Sequence, residues 1–253
     1  LIDNLDSLAA KNMDGYTAGW NDTYAKSRNM KTSGGFPKLD LVAFTYHHAL
    51  MPLIDANALA KHIAIHKVVY NKTWRAGGPD YSKGIFPAEM AFTERAIPTL
   101  VEAGLEWVIV SNSHISRSCQ GYPFSPSGDN NDPPNKAYQT NPAQSDYFSE
   151  SISRGCTPDN AYPFSYTPHY AQHVDPETGK QTKMVVVPAA QAMSWKDGYA
   201  CYNTQDIQKI AAKNNPEHPM LVMLAHDGDN SFGGGYTYYT SCVKNLVDQA
   251  VSQ

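Results

Sequence analysis

The sequence lacks the features that mark several large classes of protein. It has no block of lysine or arginine and a net charge of −4, so it does not indicate a nucleic-acid or anionic-membrane partner. No apolar run approaches the roughly 20 residues that a membrane-spanning helix needs. Hydrophobic residues make up 42% of the chain and charged residues only 17%, which predicts a folded globular protein and argues against disorder.

Cysteine is scarce, and its spacing does not suggest a zinc ribbon. None of the four cysteines forms a CxxC pair. An even count in loop-like surroundings favours disulfides, and our preferred pairing among the possible ones is Cys119–Cys156 with Cys201–Cys242. Because disulfides persist in oxidising compartments, we expect an extracellular or otherwise extracytoplasmic protein. The chain begins on Leu1 without a signal peptide, so we expect a mature or trimmed product.

Apolar runs typical of buried strands alternate with helical patterns. In the clearest unit an apolar run over 84–88 ends at Glu89, a helical pattern covers 94–103, and another strand pattern covers 107–110. This strand–loop–helix–strand order predicts a parallel sheet in an α/β fold. Further elements are predicted as strands over 39–46, 184–188 and 219–225 and as helices over 55–70 and 204–214.

Residues 117–180 differ from the rest of the chain. They are rich in Pro, Ser, Asn, Tyr and Gly and show little periodicity. A structureless stretch of this length inside a compact domain is usually a functional lid or an insertion. We therefore expect one domain over 1–253, with 117–180 as an insertion or lid.

Polar side chains follow the predicted strands where each strand ends. These side chains are His47, His48, Glu89, His114, Asp227 and Asp229. In a parallel barrel the carboxyl ends of the strands gather on one face, so residues distant in sequence can share a cleft. Two carboxylates in such a cleft can cleave a glycosidic bond, one as nucleophile and one as general acid/base. The chain is also rich in aromatic rings, and the candidate sugar platforms are Trp74, Trp195, Tyr122 and Tyr202.

Four stretches resemble the family 57 glycoside hydrolases. They are YHHALMPL at 46–53, GIFPAEMAF at 84–92, AGLEWVIV at 103–110 with His114, and HDGDN at 226–230. That family contains α-amylases, amylopullulanases, branching enzymes, α-galactosidases and 4-α-glucanotransferases, which act with retention on an incomplete seven-stranded (β/α) barrel. The resemblance covers about 39–114 and resumes near 184–240. It implies an incomplete (β/α)7-type parallel barrel with a long irregular insertion.

The resemblance also implies roles for individual residues. Glu89 takes the place of the catalytic nucleophile and Asp227 that of the general acid/base. His48 and His114 match histidines of the family motifs and are expected to bind the substrate. Beside these, we expect Trp74, His226, Asp229 and Tyr46 to bind the substrate. The implied partner is an α-linked glucan-type polysaccharide or oligosaccharide, and neither a cofactor nor a metal is implied. The sequence does not indicate an oligomeric state.

Two departures from the family pattern keep a non-catalytic alternative open. The His-Gln-Pro motif of the first barrel strand is absent, and so is the helical region that normally follows the barrel. The chain is then a processed piece or a reduced relative. A secreted carbohydrate-binding or surface protein built on the same barrel is the corresponding alternative function.

The pair His62 and His66 supports a further alternative. These histidines lie one helical turn apart, a spacing that can hold a metal ion. Polysaccharide deacetylases, which have a related fold, use a similar pair with an Asp from another strand. A metal-dependent polysaccharide deacetylase is therefore a second enzymatic hypothesis, against the simpler expectation that both histidines are surface or capping residues.

Overall fold

The structure is a computed structural model that describes residues 2–74, 80–122, 136–144, 148–150, 159–161, 163–199, 203–225 and 244–252. Within these residues the α-helices are α1 (Ile2–Ala10), α2 (Asp22–Asn29), α3 (Ala56–Trp74), α4 (Ile97–Glu102), α5 (Asn112–Arg117), α6 (Gln191–Tyr199), α7 (Thr204–Ala211) and α8 (Lys244–Val251). The strands are β1 (Gly84–Ile85), β2 (Trp107–Ser111), β3 (Phe148–Glu150), β4 (Asp159–Ala161), β5 (His169–Val174) and β6 (Gln181–Ala189). Short 3₁₀ turns occur at Tyr46–His48, Met51–Leu53, Ala88–Met90, Glu94–Ala96, Lys136–Tyr138 and Pro163–Tyr166.

The main sheet has the strand order β1-β2-β6-β5. Strands β1 and β2 run parallel, with Gly84 opposite Trp107 and Ile85 opposite Val108. Isolated parallel bridges join Ala43 to Ile85 and Ala189 to Met223, whereas β3 and β4 form a separate antiparallel pair. The predicted parallel arrangement in a mixed α/β fold is therefore confirmed. The incomplete barrel and the role of 117–180 as a lid stay predictions.

Several predicted elements have different extents. The helix predicted over 55–70 is α3 and continues to Trp74. The helix predicted over 94–103 begins as a 3₁₀ turn and becomes α4 only at Ile97, with a proline in its first turn. The strands predicted over 39–46 and 219–225 are wrong in extent, because each contributes only an isolated bridge, at Ala43 and Met223.

Contacts between Cα atoms divide the chain into two compact units. The first comprises Leu1–Val108 and Ala171–Met184, and the second comprises Ile109–Tyr170 and Val185–Gln253. Fully buried apolar residues of the first unit include Leu59, Ile63, Ile85, Ile97 and Leu100. A core cluster of the second unit contains Tyr166, Ala190, Met193 and Ile210. No helix in the described part of the chain is long and apolar enough to cross a membrane.

Glycine is required at position 84 because the Trp107 ring lies against the backbone there. A Cβ atom built on Gly84 would lie 2.1 Å from Cζ2 of the Trp107 ring, far inside van der Waals contact. The two residues are direct partners across the parallel pair β1–β2. Only glycine therefore fits at this position in the strand that leads to Glu89.

Cys119 is a free, buried thiol rather than half of a disulfide. Its Sγ donates a hydrogen bond to the carbonyl oxygen of Ile115 at 3.6 Å, and burial raises the pKa of the thiol to about 11. It packs with Tyr122 and Phe164. The predicted bridge to Cys156 is therefore wrong in this structure, while the pair Cys201–Cys242 lies outside the described residues. The extracytoplasmic location, which rested on these bridges, stays a prediction.

Candidate active site

Two of the predicted site residues meet in the first unit. Nε2 of His48 lies 2.7 Å from Oε1 of Glu89, although the residues are 41 positions apart in sequence. Both side chains are open to solvent, with 56% of His48 and 66% of Glu89 exposed. An imidazole and a carboxylate therefore form an accessible hydrogen-bonded pair.

Both members of this pair have a left-handed backbone. The φ angle is 58° at His48 and 56° at Glu89, and the neighbours His47 and Met90 are also left-handed at 57° and 53°. This conformation costs a non-glycine residue about 1–2 kcal/mol. Such strain is concentrated at functional sites, where the surrounding structure holds it in place. Two adjacent strained residues in each turn mark these turns as the candidate site.

The turn that carries His48 is braced by a buried threonine. The Thr45 hydroxyl donates to the Ala49 carbonyl at 2.7 Å, and the His48 N–H donates to the Thr45 carbonyl at 3.1 Å. The His48 ring packs edge-on against Phe44, with the centroids 5.4 Å apart. These contacts fix both the turn and the orientation of the imidazole.

The turn that carries Glu89 follows two buried residues, Pro87 and Ala88. The N–H of Met90 donates to the Pro87 carbonyl at 2.8 Å, and the N–H of Ala91 donates to the Ala88 carbonyl at 3.0 Å. Pro87 and Ala88 are buried, so the apolar residues before Glu89 pack inward while its carboxylate stays outside. Although its neighbours in the sequence are apolar, the Glu89 side chain is therefore not enclosed. The acid is accessible to a large substrate.

Strand pairing brings the two turns together. Ala43 donates its N–H to the Gly84 carbonyl at 2.8 Å and accepts the N–H of Phe86 at 2.9 Å. His48 follows Ala43 by five residues, and Glu89 follows Ile85 by four. Because the two segments run parallel, both turns leave the sheet at the same end, as expected for residues after strand carboxyl ends.

His114 lies on α5, directly after β2 in the second unit. The Ser111 hydroxyl caps this short helix by accepting the Ser113 N–H. Desolvation by the surrounding protein lowers the pKa of the His114 imidazole, and the positive charge of Arg117 lowers it further. The imidazole is therefore neutral near pH 7 and can donate or accept one hydrogen bond at each nitrogen.

A hydrogen-bonded cluster beside His114 was not predicted. The hydroxyls of Ser111 and Ser113 both donate to Oε1 of Gln191, at 2.7 and 2.6 Å. The N–H of Gln191 in turn donates to Oδ1 of Asn112 at 3.0 Å. The stretch Ser111–His114 was recognisable as a polar strand end, but its partner Gln191 is 77 or more residues away and carries no local signal.

The other predicted substrate-binding residues have structural contacts. Trp74 packs edge-on against Trp20 and Tyr24, with centroids 5.6 and 5.4 Å away. Tyr46 is half-buried, and its carbonyl accepts a hydrogen bond from Nδ1 of His62. Among the candidate sugar platforms, Tyr122 is buried next to Cys119 and Trp195 is half-buried. Their binding of sugar stays a prediction.

His62 and His66, the two histidines of the deacetylase alternative, have different hydrogen-bond partners. His62 donates to the Tyr46 carbonyl, whereas Nδ1 of His66 lies 2.9 Å from the Tyr81 hydroxyl. Burial lowers the pKa of His66. In the described part of the chain, no group of three or more His, Cys, Asp or Glu side chains is arranged to hold a metal ion. The structure thus supplies a hydrogen-bonding role for each of these histidines.

Asp227, His226 and Asp229 lie outside the described residues, as does Tyr202. The assignment of Asp227 as the general acid/base therefore rests on the resemblance of HDGDN at 226–230 to the family motif. Of the two carboxylates predicted to be catalytic, Glu89 lies among the described residues and contacts His48. A solvent-accessible carboxylate with a fixed hydrogen-bond donor can act as a nucleophile or as a general base.

Comparison with known proteins identifies the family. The model of glycosyl hydrolase family 57 matches residues 21–246, so the chain belongs to this family. An α-amylase from Niallia circulans is 34% identical over 242 residues, which cover 92% of this chain and 19% of the amylase. The crystal structure of a 4-α-glucanotransferase from Thermococcus litoralis has a TM-score of 0.57 at 12% identity, covering 92% of this chain and 28% of that one. The chain thus spans only 19% and 28% of the length of these two relatives.

Proposed function

We propose that the protein is a retaining glycoside hydrolase or transglycosylase that acts on α-linked glucans. The observation that carries this proposal is the exposed His48–Glu89 pair on two left-handed turns. Family membership supports the reaction class. The choice of α-glucan is supported by two similar proteins, an α-amylase and a 4-α-glucanotransferase.

In the proposed reaction Glu89 is the nucleophile. Its carboxylate attacks the anomeric carbon, a covalent bond forms between Glu89 and the sugar, and the glycosidic bond breaks. The leaving oxygen takes a proton from Asp227. Water or a sugar hydroxyl then attacks the glycosyl-enzyme, giving up its proton to Asp227, and Glu89 is released as a carboxylate. Two inversions at one carbon give net retention.

His48 is the positioning residue for this nucleophile. It holds Oε1 of Glu89 through its Nε2 at 2.7 Å. Because one carboxylate oxygen is fixed, the other is restricted in direction and can be presented to the anomeric carbon. Restricting a reacting group in this way lowers the entropic part of the barrier.

The test compares the wild type with Glu89→Gln on soluble starch and maltooligosaccharides. We expect the substitution to lower kcat on the order of 10³-fold or more, because an amide cannot form the glycosyl ester. Glu94→Gln, at an exposed carboxylate five residues away, is the matched control and is expected to keep full activity. Proton NMR of the first product should show the α-anomer before mutarotation. Release of the β-anomer would exclude retention.

A folded wild-type protein that neither releases nor transfers sugar would overturn the proposal. The non-catalytic carbohydrate-binding alternative would then be favoured if maltooligosaccharides still raised the melting temperature. Equal activity of the wild type and Glu89→Gln would instead remove Glu89 from the nucleophile role.

A further inference from the structure

We propose that a groove in the second unit is an accessory binding site for a neutral oligosaccharide chain, namely a segment of the polymeric α-glucan substrate. The choice of glucan rests on the function proposed above. The groove has a volume of about 650 Å³, and the segments 163–169 and 213–219 line it together with Gln144. This volume is within the range of ligand pockets and accommodates a short run of sugar rings.

The two segments that line the groove are fixed by hydrogen bonding and by packing on the core. The carbonyl of Tyr166 accepts the N–H of Leu221 at 2.7 Å, which ties one segment to the chain directly after the other. Tyr166 is fully buried and packs with Ala190, Met193 and Ile210. The surface is therefore anchored on the core of the second unit, so little ordering is needed when a ligand binds.

The segment over 213–219 is shaped by asparagine side chains. Oδ1 of Asn214 accepts the Met220 N–H at 2.8 Å, and Oδ1 of Asn215 accepts the Glu217 N–H at 3.0 Å. An antiparallel bridge joins Asn215 to His218 and closes the turn. The backbone that carries Glu217 and His218 is thus fixed in advance of binding.

One wall of the groove carries a fixed pair of rings. The centroids of Phe164 and His169 lie 4.1 Å apart with an angle of 33° between the planes. The His169 ring is locked because its Nε2 donates to the Phe164 carbonyl at 2.6 Å. Sugars stack their C–H faces on such rings, and the groove adds further apolar surface from Pro163 and Pro168.

The polar groups of the groove indicate an uncharged ligand with many hydroxyls. Lys213 and Glu217 line the groove and balance each other in charge, and His218 and Gln144 supply further polar groups. Such a lining gives no net attraction for a phosphate or a polyanion. Charged and planar polar side chains next to rings instead suit the hydroxyl pattern of a neutral sugar.

The groove contains none of the proposed catalytic residues. Pro219 lines it at the amino end of the segment 219–225, whereas Asp227 follows the carboxyl end of that segment. Glu89 and His48 belong to the first unit. Substitutions in the groove should therefore reduce the capture of long glucans and leave the cleavage of short substrates unchanged.

The test is electrophoretic retention of the whole chain in native gels that contain glycogen or soluble starch, compared with gels that contain neither. The first variant is Glu217→Ala with His218→Ala, at two exposed positions, and the second is Phe164→Leu, which keeps an apolar side chain beside Cys119. Tyr170→Ser is the matched control, because Tyr170 is 73% exposed and follows His169 in β5, so its side chain points to the other face. We expect both groove variants to weaken retention by glycogen and starch about 10-fold relative to the wild type and to the control. Hydrolysis of maltotriose should be unchanged.

The outcomes separate this inference from the proposed function. If the wild type hydrolyses starch and the groove variants are retained like the control, the groove inference is overturned and the enzyme stands. If the wild type is retained but not active, and the groove variants lose retention, the groove inference is supported and the hydrolase proposal fails. A wild type that neither binds nor cleaves an α-glucan overturns both. Each variant is accepted only if its melting temperature matches that of the wild type.

Discussion

Glu89 and His48 share the same unfavourable backbone conformation as well as a hydrogen bond, with φ angles of 56° and 58°. A glutamate and a histidine have no intrinsic preference for this region, so the two turns are held by their surroundings. Since the shared conformation sets where both side chains point, the pair should behave as one functional unit.

Coupling between these residues is the first prediction. His48→Ala should lower kcat/KM on starch about 10²-fold, because the nucleophile loses its fixed hydrogen bond. His48→Gln, which keeps a donor at similar reach, should recover part of the loss. In the Glu89→Gln background, His48→Ala should cost little more, because the two residues act on the same step. Additive losses in the double variant would show that His48 acts independently of Glu89.

The contact of Gly84 with Trp107 gives the second prediction. Gly84→Ala should lower the free energy of unfolding by about 1–3 kcal/mol, because the added methyl group meets the ring at 2.1 Å. Replacement of Trp107 by Leu in the same chain should restore part of the stability. Gly34→Ala is the control: its Cβ would meet the exposed, movable Phe36 ring at 3.3 Å. Urea unfolding measures all of these values, and an equal effect of the two glycine substitutions would contradict the account.

The buried thiol of Cys119 gives the third prediction. With its pKa raised to about 11, this group is almost entirely protonated at pH 8 and should resist alkylation in the folded protein. Iodoacetamide treatment followed by peptide mapping should label Cys119 only after denaturation. A non-reduced map that contains a Cys119–Cys156 peptide would show that the disulfide predicted from the sequence does form.

The fourth prediction concerns pH and Asp206, which caps α7 through reciprocal hydrogen bonds with Asn203. Burial by itself would raise the pKa of Asp206, but the N–H of Asn203 and the charge of Lys196 outweigh it and hold the pKa below its ordinary value. A carboxyl with a depressed pKa stabilises the fold above its unfolded pKa of about 3.9, and this contribution is lost as the pH falls through the folded value.

Asp206→Asn should therefore cost about 1 kcal/mol of unfolding free energy at pH 6, and this difference from the wild type should shrink as the pH falls below the unfolded pKa of about 3.9. Asp248→Asn, at an exposed ion pair with Lys244, should change stability by less than about 0.5 kcal/mol over the same pH range. A difference between wild type and Asp206→Asn that stays constant with pH would contradict the charge-based explanation.

The sequence predicted the order of elements better than their form. The unit from Gly84 to Val110 was predicted correctly as parallel, because an apolar run, a helical pattern and a second apolar run follow one another closely. Residues 39–46 have an equally apolar pattern but form only one bridge, at Ala43. Strand extent depends on neighbouring segments that are distant in sequence, and local pattern does not contain that information.

For the candidate site, too, the sequence predicted which residues take part but not their geometry. The sequence, with its family resemblance, was sufficient to select His48 and Glu89. Their 2.7 Å contact and left-handed turns could not be predicted, because no glycine or asparagine marks these positions. The neighbours of Glu89 in the sequence are apolar, yet its side chain is 66% exposed, because the direction of a side chain at a turn follows from the backbone conformation.

The strain at His47 and Met90 has an evolutionary consequence. Neither side chain has a part in the proposed chemistry, yet each stays in a conformation that glycine would adopt without cost. A lineage that abandoned catalysis would be free to accept glycine there and gain stability, whereas an active lineage must keep the turns rigid. Among relatives of this protein, glycine at the positions of His47 and Met90 should therefore accompany loss of the acid at the position of Glu89.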